Sequence, residues 1–197
     1  MNKIELEIIS LTHSVTQSHS FVVILGEKEG KRRIPIVIGS GEAQAIAIAL
    51  ENIVPTRPLT HDLMRDMLFS FEVNIEEIII HNLIDGIFYS TIICRHNNET
   101  YEFDSRTSDA VALSTRFKCP IYTYETILET AGVFIEDTEI TAEDVESIED
   151  RSPIAVHQNP NDYTTFSTPE LEKLLHKALE EEDYEKAASI RDEIGKR

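Results

Sequence analysis

Hydrophobic and polar residues alternate through Lys3-Ile4-Glu5-Leu6-Glu7-Ile8. This is the two-residue period of a half-buried strand, so residues 3–11 are read as the first β-strand. A short apolar run at 21–25, the turn-forming Gly26-Glu27-Lys28-Glu29-Gly30 and a second β-rich run at 32–38 predict a hairpin. Pro35 has no amide hydrogen and confines its part of that strand to an edge or a bulge. The period then changes to that of a helix in the alanine-rich residues 42–50, and again in 60–71, where Leu63, Met64, Met67, Leu68 and Phe71 recur at helical spacing. That stripe is expected to enter the core. Residues 73–83 and 86–95 are β-rich and separated by Ile84-Asp85-Gly86; His96-Asn97-Asn98-Glu99 then turns the chain into 100–103. A three-stranded antiparallel meander follows from this spacing. A helix over 108–117, a short strand at 120–123 and a short helix over 124–131, closed by a left-handed Gly132, complete the pattern. Hairpin-linked strands with inserted helices predict an α+β fold, a mixed and largely antiparallel sheet with packed helices.

The pattern breaks near residue 135, which divides the chain into a domain over 1–134, a linker over 135–168 and a tail over 169–197. The linker is rich in Glu, Asp, Ser and Thr and carries Pro153 and Pro160; such composition reads as flexible. In the tail, Leu171, Leu174, Leu175, Ala178 and Leu179 form one helical stripe. Tyr184, Ala187, Ala188, Arg191 and Ile194 form another, with Glu181-Glu182-Asp183 as the turn between them. A C-terminal helical hairpin of this size cannot bury a sufficient core alone and is expected to pair with a like hairpin or another protein.

At 197 residues and 41% hydrophobic content the chain can build a core, which excludes global disorder. No long uncharged apolar run and no basic-then-apolar leader occur, so a cytoplasmic protein without a membrane partner is expected. Cys94 and Cys119 lie far apart without metal-ligand spacing and read as reduced, largely buried thiols. The net charge of −18 opposes nucleic-acid binding. It is unevenly spread, with 11 Lys/Arg against 18 Asp/Glu in residues 1–134 but one against nine in 135–168.

Two polar helix entrances hold the candidate chemistry. In Arg57-Pro58-Leu59-Thr60-His61-Asp62, Thr60 is expected as the N-cap and Asp62 complements the helix dipole, which leaves a cation, a base and a carboxylate where backbone amides favour anions. Asp104-Ser105-Arg106-Thr107-Ser108-Asp109 repeats the arrangement before the next long helix, and Glu42 follows Gly39-Ser40-Gly41 at a third helix start. Phosphodiester hydrolysis requires an activated water, neutralisation of the phosphate and protonation of the leaving oxygen. Arginine can grip phosphate through paired hydrogen bonds, and a histidine, whose ordinary pKa lies near neutrality, can carry the proton. The competing reading makes these residues helix caps, with Arg57 ion-paired to Asp104 or Asp109.

The same residues carry a resemblance. Ile34-Pro35-Ile36-Val37-Ile38-Gly39 with Glu42-Ala43-Gln44-Ala45-Ile46-Ala47, then Arg57-Pro58-Leu59-Thr60-His61-Asp62, then Asp104-Ser105-Arg106-Thr107-Ser108-Asp109-Ala110-Val111-Ala112-Leu113, are similar in order and spacing to the bifunctional nuclease family. Ser105 and Thr107 stand where that family's pattern has a small residue and a proline. The resemblance covers about residues 1–134 and implies action on DNA and RNA. The residues themselves make His61, Asp62, Asp104 and Asp109 the expected catalytic groups, and Arg57, Arg106 and Glu42 the expected substrate-binding groups. Asp104 and Asp109 are the candidate ligands for a divalent metal, Mg²⁺ or Mn²⁺, and a homodimer is expected. The tail, with Tyr184-Glu185-Lys186-Ala187-Ala188-Ser189-Ile190-Arg191-Asp192, resembles the UVR motif, known from nucleotide-excision-repair nuclease subunits and partners of Clp-type chaperones. It implies recruitment of a protein through residues 169–197. The alternative function is a non-catalytic dimeric adaptor for repair or Clp-type machinery.

Overall fold

The computed structural model describes residues 2–14 and 20–134, together with 171, 175, 187, 188, 190, 191, 194 and 195 in the C-terminal stretch. In the first unit the expected elements form one sheet of eight strands, in the order β6-β5-β4-β7-β1-β2-β3-β8. The strands are β1 (Lys3–His13), β2 (Ser20–Glu27), β3 (Arg32–Gly39), β4 (Asn74–Ile84), β5 (Ile87–His96), β6 (Glu99–Arg106), β7 (Ile121–Tyr124) and β8 (Val133–Phe134). Helices α1 (Ser40–Leu50), α2 (Thr60–Ser70), α3 (Thr107–Phe117) and α4 (Glu125–Ala131) are inserted between them. All neighbouring strands are antiparallel except β4 and β7, which pair in parallel. The fold is therefore α+β, as the pattern predicts.

Local chemistry explains the turns. Asp85 and Gly86 both have positive φ (49° and 77°), as do Asn97 and Asn98 (49° and 64°). These are the mirror-image turns whose twist matches antiparallel strands. Pro35 pairs inward with Ile24, and β8 covers only Arg32 and Arg33 of β3, so the proline sits on a free edge as its missing donor requires.

One face of the sheet supports the helices. Val23, Leu25, Ile34, Ile36, Ile78, Ile80 and Ile92 pack there against Ala43 and Ile46 of α1 and Val111 and Leu113 of α3. The small residues of α1 allow it to lie close to α3.

Three expectations change. Gly132 is extended (φ −76°, ψ 132°), not left-handed. The glycine is required instead by crowding, because a Cβ there would lie 2.2 Å from the Leu128 carbonyl oxygen. The N-cap of α2 is Leu59, with Thr60 the first helical residue. Finally, most of the apolar stripe of α2 stays out of the core: none of its residues is buried, Leu68 alone packs partly against the core, and Leu63, Met64, Met67 and Phe71 are exposed. Its polar side faces the fold instead, for reasons given below.

Cys94 is buried, Cys119 is half-buried, and both are free thiols. Burial pushes both pKa values up, that of Cys119 to about 11. No helix among the described residues is long and apolar enough to cross a membrane.

The second compact unit spans 156–197. Leu171, Leu175, Ala187, Ala188, Ile190, Arg191 and Ile194 are helical there, and Leu171, Ala187 and Ile190 are buried with Leu175 and Ile194 against them. Leu171 and Leu175 come from the first predicted stripe and Ala187 and Ile194 from the second, whereas the buried Ile190 belongs to neither. The remainder of the hairpin and the whole of the predicted linker lie outside the described residues.

Candidate nuclease site

Three helices bring their first turns to one place. Glu42 lies in the first turn of α1, His61 is the second residue of α2, Arg106 is the N-cap of α3, and Asp109 is in its first turn. Their side chains are joined. Arg106 donates from Nε to Asp109 Oδ2 (2.8 Å) and from Nη2 to Asp109 Oδ1 (3.1 Å), while Nη1 reaches Glu42 Oε1 (2.8 Å). His61 Nε2 lies 3.1 Å from Asp109 Oδ1. Helix N-termini present unpaired amides and partial positive charge, so their convergence favours an anion at this end of the helical layer.

The direction of the His61–Asp109 hydrogen bond follows from the carboxylate. Burial opposes ionisation of Asp109, but hydrogen bonds from Arg106 and His61 outweigh it and hold its pKa below the usual carboxylate range. An ionised carboxylate can only accept, so the hydrogen bond runs from His61 Nε2–H to Asp109 Oδ1. The His61 side chain is 15% exposed, whereas the Arg106 side chain is 67% exposed. A sheltered base thus sits beside an accessible guanidinium.

Asp62, the adjacent residue, is used differently. Its Oδ2 accepts the Leu59 amide (3.0 Å), closing the start of α2, and its Oδ1 accepts from Nε of Arg116 (2.6 Å). Burial of Asp62 again opposes ionisation; Arg116 and the Leu59 amide prevail and lower its pKa. Arg116 is the functional residue that sequence reasoning missed. It is 2% exposed, and its Nη1 also donates to the carbonyls of Ala45 (3.0 Å) and Ala112 (2.9 Å). One guanidinium therefore ties α1, α2 and α3 together beneath the cluster. A signal was present: Arg116 is the only charged residue of α3 besides Asp109, two turns along the same helical face. This ion pair is also why α2 turns its polar side inward.

Asp104 and Arg57 are not brought to the cluster. Ser90 of β5 faces α3, since its hydroxyl bonds Thr107 (2.7 Å). Thr91 therefore points to the other sheet face, and Asp104, directly opposite Thr91, shares that face. Asp104 and Arg57 are exposed, and their side chains form no hydrogen bond or ion pair among the described residues. The alternative pairing of Arg57 with Asp104 or Asp109 is accordingly not formed. No three His, Cys, Asp or Glu side chains among the described residues are grouped to hold a metal ion. Glu42 and Asp109, the carboxylates of the cluster, already share Arg106, whose guanidinium takes the place a cation would need. In this arrangement the residues do not fit a divalent metal.

Thr107, at the position where the related pattern has proline, supplies its own tether. Its hydroxyl engages both Ser90 Oγ and the Phe88 carbonyl (3.2 Å) in a buried setting at the start of α3. Thr107→Val should leave the Ser90 hydroxyl unpaired and cost about 1–3 kcal/mol, measured by urea denaturation. A loss within a few tenths would show that this tether does not hold the helix start.

The fold is an α+β sheet carrying a His, Asp, Arg and Glu cluster at converging helix starts. The family model described as Bifunctional nuclease domain matches residues 23–136, more than half of the chain, and the chain belongs to that family. A UvrB/uvrC motif model matches residues 167–196. An uncharacterized protein of Mycobacterium tuberculosis is 40% identical over 116 residues, which cover 59% of this chain and 69% of that protein. Bifunctional nuclease 2 of Arabidopsis thaliana is 22% identical over 183 residues, 90% of this chain and 55% of its own length. Bifunctional nuclease 1 of Oryza sativa subsp. japonica is 23% identical over 181 residues, 89% and 54% respectively. The chain thus spans about half the length of these plant relatives.

Proposed function

We propose that this protein hydrolyses phosphodiester bonds of DNA or RNA, single-stranded by preference, at the cluster formed by His61, Asp109, Arg106 and Glu42. The observation that carries the proposal is the convergence of three helix starts on a histidine bonded to an ionised aspartate beside an exposed arginine. His61 Nδ1 accepts a proton from the water as its oxygen bonds to phosphorus, Asp109 stabilises the resulting imidazolium, and the leaving oxygen takes a proton from solvent as its P–O bond breaks. Arg106 exchanges one of its carboxylate partners for a phosphate oxygen, and Glu42 holds the guanidinium in place before substrate arrives. Arg57, exposed and without a partner among the described residues, is available to the flanking phosphate. Asp62 positions α2 through Arg116. Single strands are favoured because the local net charge is negative and an unpaired backbone can bend into a small cationic contact. Family membership supports the reaction class, and the UvrB/uvrC motif supports recruitment of a protein partner through residues 169–197. The active protein is a homodimer.

The test is cleavage of end-labelled single-stranded and duplex DNA and RNA by the purified chain in Mg²⁺, Mn²⁺ or EDTA. Single strands should be cut, and Arg106→Ala should raise KM about tenfold or more by removing a charge-assisted phosphate contact. No cleavage in any condition would overturn the enzyme reading. The motif match at 167–196 and the charge of −18 would then favour the adaptor reading.

A further inference from the structure

Helix α2 carries its apolar stripe outward. On its helical wheel His61, Arg65 and Leu68 lie on one side, while Leu63, Met64 and Met67 lie on another. The first set faces the fold, His61 bonding Asp109 and Leu68 lying against the core. The second is open to water, at 53%, 42% and 52% exposure. Phe71 just beyond the helix, and Ile53 and Val54 in the connection before it, are 67%, 56% and 91% exposed. The helix bearing the proposed base is thus held from below by the Asp62–Arg116 ion pair, the His61–Asp109 hydrogen bond, the partly buried Leu68 and the stacking of Phe69 on Phe117 (ring centroids 5.1 Å apart), with an apolar face uncovered. Monomers rarely leave such a surface.

We infer that a second copy of this chain covers the α2 face, and that the contact clamps α2 and with it His61. The regulatory half of this inference rests on the catalytic role proposed for His61. Area favours this occupant: side chains of this size and exposure offer on the order of 100 Å² each, so Leu63, Met64, Met67 and Phe71 alone come to about half of the roughly 800 Å² that each partner of a standard interface contributes. Symmetry favours it as well. The eleven-residue helix has Arg65 at its midpoint, and a two-fold axis there lays the Leu63 end of each helix against the Met67 end of its mate. Charge disfavours the alternatives. Arg65 is already paired with Asp66 (2.7 Å), leaving α2 no free cation for a nucleic-acid backbone. A net charge of −18 repels an anionic bilayer.

The experiment is sedimentation velocity of the full chain across a concentration and salt series, with hydrogen exchange of the α2 amides, for wild type, Met67→Glu and Leu63→Glu. Wild type should sediment at twice the 22.4 kDa chain mass. Association should tighten with salt, because screening relieves repulsion between like-charged copies while the apolar contact is unaffected. Both variants should be monomeric with native circular dichroism, and their α2 amides should exchange about tenfold faster or more. A wild type that stays monomeric throughout, variants that dimerise as tightly as wild type, or loss of the dimer with unchanged α2 exchange would each overturn the inference. None of these readouts involves cleavage, so failure of the nuclease reading and failure of this one are told apart.

Discussion

Replacing Asp62 with alanine is expected to lower the unfolding free energy by about 3–5 kcal/mol, although the residue lies at the edge of the site and not in a hydrophobic core. The reason is Arg116. Its guanidinium is 2% exposed and one of its nitrogens, Nη2, has no hydrogen-bond partner, so Asp62 is its sole compensating charge in the described structure. Removing the partner of a buried ion strands that ion, which costs more than the pair contributes. Urea denaturation of Asp62→Ala, Arg116→Met and the combination Asp62→Leu with Arg116→Met measures this directly. The double variant should recover most of the loss, and near-additive single effects would show that the two groups do not act as a unit. The pair also sets an acid dependence. The folded-state pKa of Asp62 is lowered, so its stabilisation is fully present above the ordinary carboxylate pKa, about 4, and is lost as pH falls from there through the folded value. Asp109 contributes with the same sign. Stability should therefore decline below about pH 4, and less steeply in Asp62→Ala.

His61→Ala is expected to lower kcat by about 10²–10⁴-fold while leaving the fold intact, because it removes a proton carrier and no buried charge. Added imidazole should restore part of the rate, a result that a purely structural histidine would not give. Asp109→Asn should produce a comparable loss by a different route. It withdraws the negative charge that fixes the His61 tautomer and that Arg106 grips through two hydrogen bonds. If imidazole rescue fails while substrate binding is unchanged, His61 is not the proton carrier.

Much of the fold was legible in the sequence because the chain states it locally. Asp85-Gly86 and Asn97-Asn98 adopt the left-handed conformations that hairpin turns demand. The alternation at residues 3–8 fixes which face of β1 is buried. The outward mounting of α2 was not legible, because helical periodicity reports that an apolar face exists without saying what covers it. Likewise Gly132 has the sequence signature of a left-handed stop, since a glycine required by close approach and one required by φ look alike in sequence. Of the candidate site, the proximity of His61, Asp109, Arg106 and Glu42 was legible only as three polar helix starts. That they converge is decided by α1, α2 and α3 packing on one sheet face. Asp104 is set apart by strand register, a two-residue alternation that places it on the face of Thr91 and away from α3. Arg116 escaped notice because an arginine in a last helical turn usually complements the dipole in solvent, and only the packed structure buries it.

The central claim is that hydrolysis occurs where the three helices converge. A single-turnover cleavage assay on labelled single-stranded DNA and RNA, comparing wild type, His61→Ala and Asp104→Asn from parallel preparations, tests it most directly. Cleavage that is lost in His61→Ala and retained in Asp104→Asn is the predicted result. Cleavage lost in Asp104→Asn but retained in His61→Ala would move the chemistry to the opposite face of the sheet and contradict the claim.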